Sequence, residues 1–330
     1  MLAYIAKRLL VAVLTCLFIS VATFAIIHLP PGDYVSSYVA QMSASGSSMT
    51  QEEANVLRQQ YGLDQPLAVQ YLKWLVLALQ GNFGMSMEWH RSVNDVIGDR
   101  LLLTMVVSVA AVLTTWLLAL PIGIYTAVRQ HSLSDYVFTL LGFIGLAVPS
   151  FLVALVLMYV SFRYFGMTVG GLFSPEYAEA PWSWARVGDL AWHLPMPALI
   201  LGLGSTAQVM RVMRANLLDE LRKPYLVTAL ARGMPFWRAI LKYPVRVALN
   251  PFISTIGYIL PYVVSGSVIV SLVMGLPTVG PVLFKSLVAQ DLFLAGSIVL
   301  MLGTLTVIGT LLSDLLLIAI DPRIRLGGSR

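Results

Sequence analysis

Leu221-Arg-Lys-Pro-Tyr-Leu-Val-Thr-Ala-Leu-Ala-Arg-Gly-Met-Pro-Phe-Trp-Arg-Ala-Ile-Leu-Lys-Tyr-Pro-Val-Arg246 is a basic, amphipathic stretch wedged between two apolar runs. It is long for a connection between membrane spans. Pro224, Pro235 and Pro244 punctuate it, because proline cannot continue a helix that precedes it. Small residues at Ala229, Ala231 and Gly233 leave a low surface. The pattern predicts a pair of short helices shaped to be gripped by something in the cytoplasm.

The surrounding composition fixes where such a loop sits. Of 330 residues, 58% are hydrophobic and only 11% charged, against about 25% charged in an average soluble domain. A soluble core of this size would lack polar cover, so the chain reads as an integral membrane protein. The single cysteine, Cys16, excludes a disulfide within the chain and a cysteine-rich metal site. The N-terminus has the Lys7-Arg8 start of a signal peptide, but its apolar run, Leu9–Leu29, is longer than the roughly 7–15 residues of a signal core. It is expected to be a retained signal anchor.

A span needs about 20 apolar residues to cross about 30 Å of hydrocarbon. Six runs qualify: Leu9–Leu29, Leu101–Val128, Tyr136–Phe162, Leu194–Met213, Pro251–Met274 and Phe293–Ile320. The fourth starts at Pro195 and Pro197 and carries Gly202 and Gly204, small residues that let helices approach closely. With the N-terminus inside, fourteen basic residues are cytoplasmic: Lys7, Arg8, Arg129, eight from Arg211 to Arg246, and Arg323, Arg325 and Arg330. Seven remain outside: Arg58, Lys73, Arg91, Arg100, Arg163, Arg186 and Lys285. The asymmetry predicts that both termini are cytoplasmic.

The outer segment Pro30–Arg100 then begins with a small polar loop at Ser43–Ser48. Thr50 and Glu53 have capping-box spacing. Leu67–Leu79 repeats apolar residues on one helical face, with Tyr71 and Trp74 suited to a membrane interface. It is either an amphipathic helix along the outer surface or a packed outer helix touching no ligand. A second outer loop, Gly166–His193, holds Trp182, Trp184 and Trp192, which are either interface anchors or a ligand platform.

The chemistry of an enzyme is missing. His28, His90, His131 and His193 have no second ligand at metal spacing, and there is neither a phosphate-binding glycine loop nor a nucleophile elbow. Asp314 is the acidic residue well inside a span, where it either pairs with a cytoplasmic-side arginine or faces the bundle. Spans this poor in charge offer no ion- or proton-coupling machinery. The energy source is expected to lie in another protein, gripping the cytoplasmic loop. The small polar residues Ser150, Ser205, Gln208, Ser265 and Ser267 either line a path or bond between helices.

Ordered blocks along nearly the whole chain carry a family resemblance. They are Tyr4-Ile-Ala-Lys-Arg-Leu-Leu10, Leu29-Pro-Pro-Gly-Asp33, Tyr61-Gly-Leu-Asp-Gln-Pro-Leu67, Gln70-Tyr-Leu-Lys-Trp74 and Gly81-Asn-Phe-Gly-Met-Ser86. Arg100-Leu-Leu-Leu-Thr104, Gly275-Leu-Pro-Thr-Val-Gly280, Gln290-Asp291 and Asp321-Pro-Arg-Ile-Arg325 follow. The chain resembles the inner-membrane permeases of ABC importers for dipeptides and oligopeptides.

The resemblance implies an all-α integral membrane protein of the type I ABC importer permease class, with six transmembrane helices and both termini cytoplasmic. It implies residues 1–29 as anchor and first span, 30–100 as a periplasmic segment with amphipathic helices, and 101–330 as a five-helix core with a coupling loop at 214–249. The implied location is the bacterial inner membrane. The implied partners are a second homologous permease subunit, two ABC ATPase subunits that bind ATP and Mg, an extracytoplasmic solute-binding protein and the lipid bilayer. No cofactor in this chain, no catalytic or metal residue and no nucleic acid is implied. The family's coupling loop reads Glu-Ala-Ala-x-x-x-Gly; here the matching stretch is Val227-Thr228-Ala229-Leu-Ala-Arg-Gly233, so the glutamate contact is not carried over. The expected ATPase-docking residues are Val227, Thr228, Ala229, Ala231, Arg232, Gly233, Met234 and Phe236. Trp237 is a further anchor, and Arg238 and Lys242 supply rim contacts. Members of the family also carry nickel, opines, glutathione or oligosaccharides. The rival from another class is a membrane scaffold or channel whose basic loop binds lipid headgroups.

Overall fold

The computed structural model describes residues 2–29, 31–46, 49–252 and 268–320, with the side chains of residues 2–5, 7, 99 and 312–320 excepted. Among these residues one isolated bridge pairs Met85 with Ser92, and every other regular element is an α-helix. In chain order these are α1 (Leu2–Ile27), α2 (Tyr34–Ala44), α3 (Gln51–Tyr61), α4 (Leu67–Leu79) and α5 (Val93–Val128). Next come α6 (Leu133–Ala147), α7 (Ser150–Phe165), α8 (Trp184–His193) and α9 (Pro195–Leu221). Three short helices follow, α10 (Pro224–Ala231), α11 (Phe236–Lys242) and α12 (Pro244–Ala248), and then α13 (Val279–Val288) and α14 (Leu292–Ile320).

Among the described residues four helices are long and apolar enough to cross a bilayer: Arg8–Ile27 within α1, all of α5, all of α9, and Leu292–Leu311 within α14. The expected span Tyr136–Phe162 is not one helix. It is the pair α6 and α7, bent by 100°. The cause is Pro149, which lacks an N–H and pushes the preceding residue out of the helical region; Val148 is extended at φ −87°, ψ 124°. Hydropathy summed across the break conceals it. Most of the expected span Pro251–Met274 lies outside the described residues, as do Ser265, Ser267, the side chain of Asp314 and the tail Asp321–Arg325.

The chain divides into two compact units, the first being Met1–Thr104 with Thr278–Leu311. Its core gathers Phe24, Tyr34, Val35, Ala54, Trp74, Met87 and Leu292. Thr50 caps α3 and Glu53 returns the bond to the Thr50 N–H, which is the expected capping box. Helix α2, absent from the sequence reading, starts because the Asp33 side chain accepts the Ser36 N–H at 2.7 Å.

The second unit is Met105–Pro277 with Leu312–Arg330. Here α5 and α9 approach closely. A β-carbon on Gly202 would sit 2.8 Å from Thr115 Oγ1 and 3.1 Å from the Ala111 carbonyl oxygen, so only glycine permits this crossing. Thr115 uses the proximity to donate to the Gly202 carbonyl at 3.2 Å.

Candidate functional site

The quoted stretch folds as α10, α11 and α12. Pro224 and Pro244 each occupy a first helical position, where the missing N–H costs nothing and φ is already helical. Helix α10 ends in a Schellman motif. Gly233 has φ +79°, its N–H bonds to the Leu230 carbonyl at 2.9 Å, and the Met234 N–H reaches back to the Ala229 carbonyl at 3.2 Å. Pro235 then stops the chain from continuing as helix and begins α11.

Packing decides which face remains outside. Leu226 and Ala229 of α10, with Ala239 and Ile240 of α11 and Val245 and Ala248 of α12, share one core with Val209, Met210, Met213 and Leu217 of α9 and Ala119 and Ala127 of α5. Ala229 is 7% exposed, so the expectation that it belongs to a low outer surface is corrected. Met234 is half-buried against the same core. The physical reason is helical period: Leu226 and Ala229 lie three apart on one face, and α11 covers that face. Val227, Thr228, Ala231, Arg232, Gly233 and Phe236 are exposed together, Val227 by 64%. Phe236 and Trp237, both half-exposed, meet edge to face at 5.9 Å. The space over Gly233 is open where its β-carbon would be.

Beside this surface a cleft of about 270 Å³ is lined by Tyr225, Lys242, Tyr243, Arg246 and Val247. The Tyr225 hydroxyl donates to the Glu220 carboxylate; burial first, and then that carboxylate, push the phenol well above its ordinary range. Sequence reasoning passed over Tyr225, although an aromatic residue two positions before Val227 on a short helix is a signal for it. Of the polar residues considered for a path, Gln208 is exposed on α9 and the Ser205 hydroxyl is buried without a hydrogen-bond partner. Ser150 starts α7. Among the described residues no three His, Cys, Asp or Glu side chains come together as a metal site.

The first unit brings the scattered sequence blocks together. Asp291 accepts from the Ser86 hydroxyl at 2.5 Å and from the Glu88 N–H at 3.1 Å. Neighbouring Gln290 accepts from Ser37 at 2.8 Å. Asp33 receives the Arg58 guanidinium at 2.7 Å. Thr104 Oγ1 accepts the Val279 N–H at 2.9 Å. Two pairs of the quoted blocks are thus neighbours in space, through Ser86 with Asp291 and through Thr104 with Val279, and Ser37 and Arg58 tie in from outside the blocks.

Comparison with known proteins places these features in a family. Residues 119–326 match the family described as the inner membrane component of binding-protein-dependent transport systems. Residues 1–109 match the N-terminal region of such membrane components. A Brucella ovis protein with a provisional peptide-permease name is 34% identical, over 98% of this chain and 99% of its own length. The oligopeptide transport system permease protein AppB of Bacillus subtilis is 31% identical over the same shares. The glutathione transport system permease protein GsiC of Salmonella choleraesuis is 32% identical, again over 98% and 99%. With both family matches lying along one chain of apolar helices, the protein belongs to the inner membrane components of binding-protein-dependent transport systems, as a multi-pass permease subunit of an ABC importer in a bacterial inner membrane.

Proposed function

We propose that this chain is the pore subunit of an importer for dipeptides and oligopeptides, working by alternating access and driven by separate ATPase subunits. It pairs with a second, homologous permease. Two ATPases dock on its cytoplasmic side, and a solute-binding protein delivers the peptide from outside. Six spans with both termini cytoplasmic follow from the basic-residue asymmetry, with the segment around residues 251–274 and the bent α6–α7 pair each counted as one crossing. Residues 30–100 form the outer segment, and residues 214–249 the coupling loop of the core.

The observation that carries the docking reading is the double aspect of α10. Its outer face presents Val227, Thr228, Ala231, Arg232 and Gly233, with Phe236 beside it. Its inner face, through Leu226 and Ala229, is packed into the core shared with α5 and α9. Interiors are close-packed and transmit strain, so a push on α10 reaches two spans without an intervening hinge. Docking rests on shape and on the apolar anchors, since Val227 stands where the family pattern has glutamate.

Val227→Asp tests this. The residue is mostly in solvent, so the change leaves the core intact. The expected result is loss of co-purifying ATPase and of coupled uptake, with normal membrane insertion. Unchanged co-purification and uptake would refute the docking role. The peptide assignment follows the names of the relatives, among them oligopeptide and glutathione permeases. Uptake competition in the intact complex, with dipeptides, oligopeptides, glutathione, opines, oligosaccharides and nickel, decides it; failure of every peptide to compete would overturn it.

A further inference from the structure

Helix α8 carries an outward face that the transport reading does not use. Ser183 caps it by accepting the Arg186 N–H. Trp184, Val187, Gly188, Ala191 and Trp192 lie at positions i, i+3, i+4, i+7 and i+8, one face of a helix, and all five are exposed. Trp184 is 91% and Trp192 75% exposed. About 12 Å separates them along the axis at 1.5 Å per residue. No charged side chain belongs to this face.

Every ionisable group of α8 is turned the other way. Arg186 is 6% exposed. Its guanidinium lies over the rings of Trp182 at 4.4 Å and Phe173 at 4.7 Å, and donates to the carbonyls of Ala180 and Ala178. Asp189 accepts the N–H and hydroxyl of Ser174, each at 2.7 Å, and has His193 Nδ1 at 3.4 Å. A surface helix in water shows the reverse pattern, with charges outward and apolar residues inward. Here the Arg186 Nη groups and the Asp189 carboxylate find their partners within the loop behind the helix, with Arg186 Nε left without a hydrogen bond, and two tryptophans face out.

The chain around α8 identifies what covers that face. One residue, Leu194, separates α8 from α9, and hydrogen bonding continues through it: Leu194 N–H to the Leu190 carbonyl, Ala198 N–H to the Leu194 carbonyl. Helix α9 is one of the four membrane-length helices, so α8 sits at the mouth of a span. At the other end of the same loop, α7 closes with Phe162, Tyr164 and Phe165, exposed by 65, 75 and 71%. On the proposed reading that the α6–α7 pair makes one crossing, the chain leaves the bilayer after α7 and re-enters at α9, so both aromatic groups belong to one membrane surface, whichever side that is. Tryptophan and tyrosine concentrate at that depth. A helix with an apolar tryptophan face lies in the plane of the interface.

We infer that α8 is an interfacial membrane helix whose Trp184–Val187–Trp192 face is immersed at the lipid headgroup–acyl boundary, continuing the aromatic belt begun by α7. The tryptophans anchor the start of α9 to the bilayer surface. Trp182, by contrast, is a partner of Arg186 within the loop.

Nitroxide labelling of the full-length chain tests the inference. Cys16 is the only cysteine, so Cys16→Ser provides the background for single labels at Trp184→Cys, Val187→Cys, Trp192→Cys and, as a solvent control, the exposed Glu179→Cys. The complex with its co-purifying subunits is reconstituted in phosphatidylethanolamine–phosphatidylglycerol vesicles. Collision with oxygen is compared with collision with a water-soluble nickel chelate. The expected result is severalfold oxygen preference at 184, 187 and 192 and the inverse at 179. Nickel-chelate preference at the three α8 positions would overturn the inference by putting the face in water. Immobilised labels shielded from both reagents would also overturn it, by putting a protein partner there. The label at 187 keeps the test decisive where removal of a tryptophan lowers the yield.

Discussion

The Asp291 carboxylate accepts the Ser86 hydroxyl at 2.5 Å although the two stand 205 positions apart in the chain. Asp291 is fully buried, and it also accepts the N–H groups of Glu88 and Leu294, each at 3.1 Å. One side chain therefore fixes the turn before α5 to the first turn of α14. Burial pushes its carboxyl above the ordinary value of 3.8, with the bonds from Ser86, Glu88 and Leu294 opposing. A carboxyl raised on folding favours the fold most when protonated. Its contribution is therefore greatest below 3.8 and declines as pH rises through the interval up to the raised value. Ser86→Ala leaves a buried acceptor short of a partner and is expected to cost about 1–3 kcal/mol. Asp291→Asn should flatten the pH dependence of the thermal midpoint in that interval. A midpoint slope identical to the unsubstituted protein would show that the buried carboxyl does not titrate this way.

Asp33 has the opposite sign. Burial raises its carboxyl, but the bonds from Arg58 and from the Ser36 hydroxyl and N–H outweigh that and hold it below 3.8. The stabilisation is full above 3.8 and is lost as pH falls through the lowered value. Asp33→Ala removes both the cap of α2 and the partner of Arg58. The cap alone is worth about 1 kcal/mol, and the partly exposed pair adds little. Loss of protection from proteolysis in residues 34–44 is the expected readout. Protection equal to the unsubstituted chain would mean that α2 does not depend on this cap.

The parts legible in the sequence are those whose cause is local. The Thr50–Glu53 box, the helix Leu67–Leu79 and the glycine-bearing fourth span all follow from neighbours within a few residues. Gly233 stood out for the right position but an incomplete reason: its positive φ closes α10 whether or not a partner approaches. Ala229 was misread as outer surface, although its spacing from Leu226 already turns it inward. What could not be read is non-local. Ser86, Asp291, Gln290 and Ser37 are ordinary polar residues until the fold brings them together. The break at Val148-Pro149 escaped because an apolar sum carries no information about a missing N–H.

Gly233 can be tested so that the cap and the contact separate. Alanine at φ +79° is strained by about 1 kcal/mol, whereas asparagine tolerates the left-handed region. Gly233→Ala should lower the thermal midpoint, and Gly233→Asn should restore most of it. Both add a side chain over open space. ATPase co-purification that tracks the midpoint in the two variants supports a capping role. Loss of co-purification in both, with the midpoint of the asparagine variant preserved, would instead assign the glycine to the contact itself.

Arg214 holds Asp135 through two bonds, Nη2 to Oδ2 at 2.8 Å and Nε to Oδ1 at 3.1 Å. The His131 N–H adds a third acceptor contact on Oδ2 at 3.0 Å. The Asp135 side chain is only 4% exposed, so the pair belongs to the class in which removing one partner strands the other. It joins the start of α6 to α9, within one turn of Leu217, which belongs with Leu226 and Ile240 to the core that carries α10. Arg214→Met is expected to destabilise by about 3–5 kcal/mol, because an unpaired carboxylate stays buried. Arg214→Lys keeps the charge but not the planar fork, and should fall between. Adding Asp135→Leu to Arg214→Met removes the stranded charge, so the double variant should be more stable than Arg214→Met alone. The thermal midpoints of the unsubstituted protein, Arg214→Met, Asp135→Leu and the double variant, purified side by side, form the cycle. Strictly additive losses would mean that the two side chains are not coupled, and that α6 is held to α9 by apolar contacts alone.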